Sequence, residues 1–451
     1  LLVAVAIVVR RLPKVDLGHS DAFRKRRILN WIPLGLAYAF LYFGRYNLSA
    51  IAGELDKGGV LAKSVFNEID GVGQWVYGIA FLINGPLTDR FGGRVTMIAA
   101  TVGSAVMNVA MALVFRSSTA GELDADGLRS WLLAVNAINM YFQSFGAVSI
   151  VKVNAPWFHV RERGVLGGLF GILISLGLYF SYDWSLELAK HFGFSVAFFG
   201  PAAVLAVCAV STIAFVRDSP SSAGFADFDT GDASSGQVGT QKVSAILRRM
   251  FSQRVIWIIV GIEFCSGFLR QSVMKQYRLY SKAVDGGDTF VYEHWGMLLC
   301  VAGILGGVFA GFISDHVFQS RRGPVSSVLY GGMLLGAIGA CFLLGTPALG
   351  WSVVFMSLCV IGVHGMLSGT ASMDFGGTKN AGLVTGVIDG FVYLGGGVQA
   401  FLYGRTLPTG DAAKVADAWA IWPRAMVPVA LVGLVLCAMI WNARPKPSGG
   451  H

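Results

Sequence analysis

About twelve apolar stretches run through this chain, each long enough to cross ~30 Å of hydrocarbon at ~1.5 Å per residue. They centre near residues 40, 77, 105, 143, 174, 205, 263, 302, 335, 360, 390 and 430. Stretches of that length read as membrane-spanning helices. The expected fold is therefore an all-α polytopic membrane protein with twelve transmembrane helices. Composition agrees: 14% of the 451 residues are charged and 54% are hydrophobic, whereas soluble domains carry nearer a quarter charged residues. Glycine, at 59 positions, suits helices that approach one another closely in lipid.

The net charge of +9 has to be read through its distribution. With the spans placed as above, 20 of the 35 lysines and arginines lie on the side shared by both termini, and ten lie opposite. Five sit inside spans: Arg45, Lys152, Arg270, Lys275 and Lys379. This is the positive-inside pattern. It puts both termini in the cytoplasm, with a bacterial inner membrane as the expected location. "RKRRILNWIP" (24–33) is the clearest basic cluster before a span. The basic excess is topological, and no nucleic-acid partner is expected. The opening "LLVAVAIVV" is too short to span and reads as an incomplete end or a membrane-surface segment. The six cysteines (208, 265, 300, 341, 359, 437) lack metal-like spacing and read as small buried hydrophobes.

Two spans carry an arginine near their middle: Arg45 in "YAFLYFGRYNLSA" and Arg270 in "EFCSGFLRQSVM". A guanidinium at that depth costs roughly 2.5–3.5 kcal/mol on insertion scales, so it is expected to face a polar cavity or a fixed partner. Tyr38, Tyr42 and Arg45 fall at i, i+4 and i+7 and share a helix face. Glu263 lies seven residues before Arg270 on the same face. It either neutralises Arg270 as a packing ion pair or yields to a ligand. Lys152 either snorkels to the interface or takes part in gating. His364 is either a hydrogen-bonded core residue or a substrate or proton contact. Asp374 and Lys379 suit a local salt bridge, and Asp389 is placed to meet a substrate or Lys275. Gly382, Gly386 and Gly390 recur every four residues as a close-packing face. No nucleotide loop, nucleophile elbow or metal cluster appears, so no enzymatic reaction and no cofactor are expected.

The polar stretch 217–245 lacks helical periodicity and reads as a linker between two six-span halves. The expected organisation is an N-terminal cytoplasmic segment 1–28, a six-helix bundle 29–216, a cytoplasmic linker 217–251, a second bundle 252–442 and a tail 443–451. "NGPLTDRFGGR" (84–94) and "AGFISDHVFQSRRG" (310–323) place a glycine four residues before Asp89 and Asp315. These aspartates share the arginine offset to within one residue, which argues for a duplicated six-helix unit.

The Gly85-to-Arg94 pattern resembles the cytoplasmic signature of the major facilitator superfamily, whose two six-helix bundles rock about a central cavity. By that resemblance Asp89, Arg90 and Arg94, with Asp315, form a charge network that latches the inward-closed state. Four further stretches resemble the organophosphate:phosphate antiporters. These are Tyr38, Tyr42, Arg45 and Asn47 in the first helix; "FQSFGAVSIVKVNAPWFHVRERG" (142–164); "FLRQSV" (268–273); and "DFGGTKNAGLVTGVIDGFVYLGGG" (374–397). The resemblance implies that Arg45 and Arg270 bind the phosphate of a sugar phosphate or glycerol phosphate, exchanged for inorganic phosphate by a monomer in the lipid bilayer. A guanidinium fork suits phosphate oxygens in a way lysine does not.

Two departures matter. Phe81 stands where the glycerol-phosphate transporters carry a lysine, and Ile174 or a neighbour where they carry a histidine, so a less cationic, more apolar pocket is expected. The empty site would then hold two arginines against mainly Glu263, and that imbalance favours obligatory exchange. Two other readings stay open: a proton-coupled facilitator of another organic anion or drug, and a transporter-like sugar-phosphate sensor.

Overall fold

The computed structural model describes residues 18–159, 163–230, 248, 251–284, 289–318 and 322–442. Within these, the side chains of 163–170, 365–382 and some single positions, Asp315 among them, lie outside the description. The expectations for Asp315, Asp374, Lys379 and Gly382 therefore fall outside the described side chains.

Backbone groups have no water to bond in lipid, so spans satisfy them internally as helices. Helix α1 (Asp21–Lys57) starts where Ser20 Oγ accepts from Phe23 N at 3.2 Å, with Asp21 in its first turn and Lys57 in its last. The cap draws residues 21–28 into the first helix, ahead of the boundary expected at 29. The basic cluster there packs back on the protein. Arg26 donates to the carbonyl of Phe215 at 2.9 Å and Arg27 to that of Trp157 at 3.3 Å.

Next come α2 (Lys63–Phe91), α3 (Gly93–Thr119) and α4 (Ala125–Asn154). The fifth pass is α5 (Arg163–Tyr179), a π-helical turn at Phe180–Trp184 and α6 (Ser185–Phe192); α7 (Val196–Phe215) is the sixth. After the linker, α8 (Arg254–Gln271) runs through a second π-helical turn, Ser272–Gln276, into α9 (Tyr277–Ala283). Then follow α10 (Trp295–His316), α11 (Arg322–Leu343), α12 (Ala348–Thr406) and α13 (Ile421–Met439).

The 59 residues of α12 would span almost 90 Å if straight, about three bilayer cores. Its ends exclude that. A Cβ on Gly350 would meet Tyr277 Oη at 2.5 Å, while Ser272 Oγ bonds Tyr403 Oη at 3.4 Å. Both ends thus lie beside the same short stretch of the seventh pass, and the helix folds back on itself. Among the described residues the chain makes twelve passes, as the apolar stretches predict.

Two surfaces separate. Phe342, Leu335, Val207 and Val210 are largely exposed on the outside, the face lipid would cover. Among the described residues five helices are long and apolar enough to cross a membrane by length and composition alone, and α1, α2 and α4 are not among these five. Those three turn Arg45, Asn47, Asp70, Gln74 and Gln143 inwards.

The returning arm of α12 binds the halves together. A Cβ on Gly78 of α2 would lie 2.7 Å from the Gly390 carbonyl, and one on Gly395 would clash with that of Phe264 in α8. Only glycine permits such approaches. A Cβ on Gly386 would likewise meet the Phe81 carbonyl at 2.9 Å, so the predicted glycine face is a packing face at its described positions.

Candidate functional site

Arg45 is 5% exposed and lies in a cage drawn from both halves. Its guanidinium sits 4.5 Å from the Tyr42 ring centroid and 4.6 Å from that of Tyr77. Nε and Nη2 donate to Gln143 Oε1 at 3.2 and 3.1 Å, and Nη1 donates to Tyr393 Oη at 2.9 Å. Gln143 is itself held, donating to the Leu41 carbonyl at 2.9 Å and to Ser104 Oγ at 2.5 Å. The helix-face reading of Tyr38, Tyr42 and Arg45 agrees with this packing, with the Tyr38 and Tyr42 rings edge to face at 5.7 Å. Among the described residues no carboxylate forms an ion pair with Arg45. Its charge meets neutral acceptors and ring faces, which hold a cation without cancelling it.

Arg270 is 2% exposed and differently placed. Its Nε and Nη2 have no hydrogen-bond partner, an expensive state for buried charged donors. Its electrostatic neighbours include Tyr42, Tyr46 and Tyr393, all three of which also surround Arg45. The two arginines, 225 residues apart in sequence, therefore converge on one tyrosine cluster at the junction of the halves.

The packing ion pair between Glu263 and Arg270 does not form. Glu263 is fully buried; its Oε2 lies 3.4 Å from His364 Nδ1 and its Oε1 has no partner. His364 lies within electrostatic reach of Arg270 and Asp389. Asp389 is 8% exposed and sits one helical turn before Tyr393. It does not pair with Lys275, as the sequence had allowed. Lys275 instead forms a buried ion pair with Asp70 of α2, and its ammonium lies 5.3 Å from the Tyr46 ring. Lys275 lies within the π-helical turn Ser272–Gln276, which departs from the 3.6-residue register of the flanking helix.

Lys275 is neutralised by Asp70, and Glu263 lies within electrostatic reach of Arg270.

The end of the molecule farthest from the termini is clasped across the halves. Arg278 is 1% exposed and donates to the carbonyls of Ala50 and Tyr292. Lys282 pairs with Glu54 at 2.7 Å, Gln276 donates to Asn67 at 2.8 Å, and Asp183 accepts from Gly296 N at 2.7 Å.

At the opposite end, Lys152 pairs with Asp89 at 2.7 Å, both about a quarter to a third exposed. Arg94 donates to the Ile213 carbonyl at 2.6 Å while its backbone N–H bonds Asp218 at 2.8 Å. Arg90 stacks near Phe91, 5.5 Å from the ring. These contacts stay within the N-terminal half among the described residues. The expected network is thus an Asp89–Lys152 pair beside a separate anchor at Arg94.

Phe81 packs 4.8 Å from Tyr77 and 5.9 Å from Tyr393, and Ile174 packs against the core. The pocket is aromatic rather than merely apolar, and Lys275 beside it is paired with Asp70. Sequence reading passed over Gln143, Tyr393, Tyr46 and Asp70. The first two lie inside the quoted stretches 142–164 and 374–397. Asp70 gave a signal only as an acid early in the second span.

The Major Facilitator Superfamily profile matches residues 34–400. The membrane sensor protein UhpC of Escherichia coli (strain K12) is 25% identical over 420 residues, covering 90% of this chain and 89% of its own length. The glycerol-3-phosphate transporter of Bacillus subtilis is 25% identical over 422 residues, covering 86% and 88%. A probable hexose phosphate transport protein of Chlamydia trachomatis is 23% identical over 442 residues, covering 92% and 91%. These relatives match the organophosphate:phosphate antiporter family. A bacterial homolog to the human lysosomal transporter Spinster, solved inward-facing and unoccupied, superposes with a TM-score of 0.66 at 13% identity, over 94% of this chain and 97% of that one. It shares the fold.

Proposed function

Since the chain belongs to the major facilitator superfamily, we propose that it carries phosphate monoesters across a membrane by alternating access, in exchange for inorganic phosphate. The observation that carries this reading is the convergence of Arg45 and Arg270, one from each half, on Tyr42, Tyr46 and Tyr393. Arg270 keeps two buried donors for a ligand. A phosphate group has three acceptor oxygens and close to two charges, and can accept from both halves at once. Inorganic phosphate presents the same oxygens to the same donors, which makes it a natural counter-substrate at a single site.

The geometry supports a sequence of states. The clasp of Asp70, Lys275, Arg278 and Glu54 holds one end shut. With both termini in the cytoplasm of a bacterial inner membrane, as the basic loops argue, that end faces outwards. Ligand then reaches the arginines from the termini side, between an N-terminal bundle 29–216 and a C-terminal bundle 252–442 joined by the cytoplasmic linker. Breaking the clasp while the Asp89 end closes would pass the site to the other face, with Lys152, Arg90, Arg94 and Asp315 as gating residues. Tyr38, Tyr42, Glu263, His364 and Asp389 would line the substrate. The chain acts as a monomer in this scheme.

Proteoliposomes loaded with labelled phosphate test the reading. External glycerol phosphate or hexose phosphate should accelerate label efflux at least about tenfold, and acetate should not. Equal efflux with either overturns it. The similarity to a membrane sensor protein favours one second reading, a phosphate-ester sensor on the same fold. Tight binding without flux in the same vesicles would select it.

A further inference from the structure

Where the two halves meet at the clasped end, the lipid-facing side of the seam carries a groove of about 520 Å³, in the range of small-ligand sites. Trp75 of α2 forms one wall. Val398, Phe401, Leu402, Arg405 and Thr406 of the returning arm of α12 form the other. Their spacing keeps them on one helix face, and Trp75, Val398 and Arg405 are exposed.

The two ends of the groove differ. At the inner end the Trp75 indole donates to the Leu394 carbonyl at 3.3 Å, and its ring meets Phe401 edge to face at 5.1 Å. At the outer end stands Arg405, in the last turn of α12. A Cβ on Gly404 beside it would lie 3.2 Å from Asn67, which bonds Gln276 in the clasp. Among the described residues no carboxylate pairs with Arg405, and the nearest acid along the chain, Asp411, pairs with Lys414 at 2.8 Å. From Leu394 to Arg405 the helix rises about 16 Å, half of the ~30 Å hydrocarbon core. Apolar walls thus run the depth of one leaflet and end on an open cation at headgroup level. A second groove, between α8, α12 and α13, gives the contrast. Trp257, Phe264, Phe391 and Leu436 line it with no charged side chain, so it can hold a chain but select no headgroup.

We infer that the Trp75–Arg405 groove binds an anionic phospholipid of the leaflet opposite the termini, with one acyl chain between α2 and α12 and the headgroup phosphate on Arg405. A zwitterionic headgroup carries its own cation, so Arg405 favours the anionic one by about fivefold, the scale of one basic residue at a membrane surface. The walls come from both halves, so the bound lipid also favours the clasped state over one in which α2 and α12 part here. The site is separate from the arginine clamp and stands whatever that clamp carries.

Native mass spectrometry of the full chain, released from detergent holding equal phosphatidylglycerol and phosphatidylcholine, counts the lipid retained. Wild type should retain phosphatidylglycerol about fivefold over phosphatidylcholine. Arg405→Gln should lose the preference and Arg405→Lys should keep it. Arg254→Gln, at the exposed start of α8 near the uncharged groove, should leave it unchanged. Equal preference in wild type and Arg405→Gln overturns the proposal, as does an equal loss in Arg254→Gln, which marks a general surface-charge effect. A purely helix-end role for Arg405 would lower the melting temperature of Arg405→Gln and spare the lipid preference, and that result overturns it too. Should Arg405→Gln not fold, Val398→Trp replaces it. The indole fills the groove, and phosphatidylglycerol retained at the wild-type level then overturns the site. In nanodiscs, phosphatidylglycerol should shorten spin-label distances across the clasped end in wild type but not in Arg405→Gln. Identical shifts in both overturn the coupling to the clasp.

Discussion

Arg45 and Arg270 occupy equivalent places in the two halves, yet their surroundings differ. Arg45 has every direction filled: Gln143 grips Nε and Nη2, Tyr393 takes Nη1, and the Tyr42 and Tyr77 rings cover the faces. Arg270 leaves Nε and Nη2 unbonded in a fully enclosed position. The first is a charge positioned in advance, and the second is a charge waiting for an acceptor. Such an asymmetry suits a clamp in which one jaw is rigid and the other is satisfied only by the ligand. It also separates stability from binding, since bonds already made stabilise the empty protein and bonds still open stabilise the complex.

The largest effects should come from replacing each arginine by lysine. Arg45→Lys and Arg270→Lys both lose the guanidinium fork. Each should weaken phosphate binding by about 100-fold, the scale of one or two charged hydrogen bonds at 1.5–3 kcal/mol each. Melting without ligand should then part them. Arg45→Lys breaks bonds already made and destabilises the empty protein, while Arg270→Lys destabilises it less. Equal destabilisation by the two would make Arg270 an ordinary packing residue.

Gln143→Leu sharpens the comparison at intermediate size. It removes the acceptor that fixes Arg45 without touching its charge. Equilibrium binding of labelled phosphate should fall about tenfold, near 1.4 kcal/mol. Gln143→Glu should do worse than leucine, because a carboxylate there would hold Arg45 against the ligand. Phosphate affinity unchanged in both variants would remove Gln143 from the clamp.

The smallest effect belongs outside the clamp. Asp89→Asn breaks a partly exposed pair with Lys152, worth about 1 kcal/mol or less. Phosphate affinity should move by less than about fivefold. Spin labels across the termini-side mouth should report a shifted distance distribution. An unchanged distribution would return Asp89 and Lys152 to the role of loop charges.

Arg45 and Arg270 could be singled out from sequence because a cation in an apolar run is costly wherever it sits. Gln143 and Tyr393 could not, since a neutral polar or aromatic side chain in a span leaves no such mark. Asp70 was missed for another reason. It lies only seven residues into α2, where an acid reads as interfacial, and its burial depends on Lys275 arriving from the other half. Lys275 was open to Asp389 as one of two alternatives, and the structure pairs it with Asp70 across the halves instead.

What the sequence alone determined is everything that follows from the solvent. Lipid demands long apolar helices, so their number and order were readable, as were cations at mid-span such as Arg45 and Arg270, where the demand is violated at a price. Which acid faces which cation was decided only in three dimensions. Arg45 finds Tyr393 across 348 residues and Lys275 finds Asp70 across 205. Those meetings are set by how closely α2 and α8 approach the returning arm of α12 at Gly78, Gly390 and Gly395. Local periodicity gives each helix its faces. Only packing between helices decides which faces meet, and with that which charges remain open to a ligand.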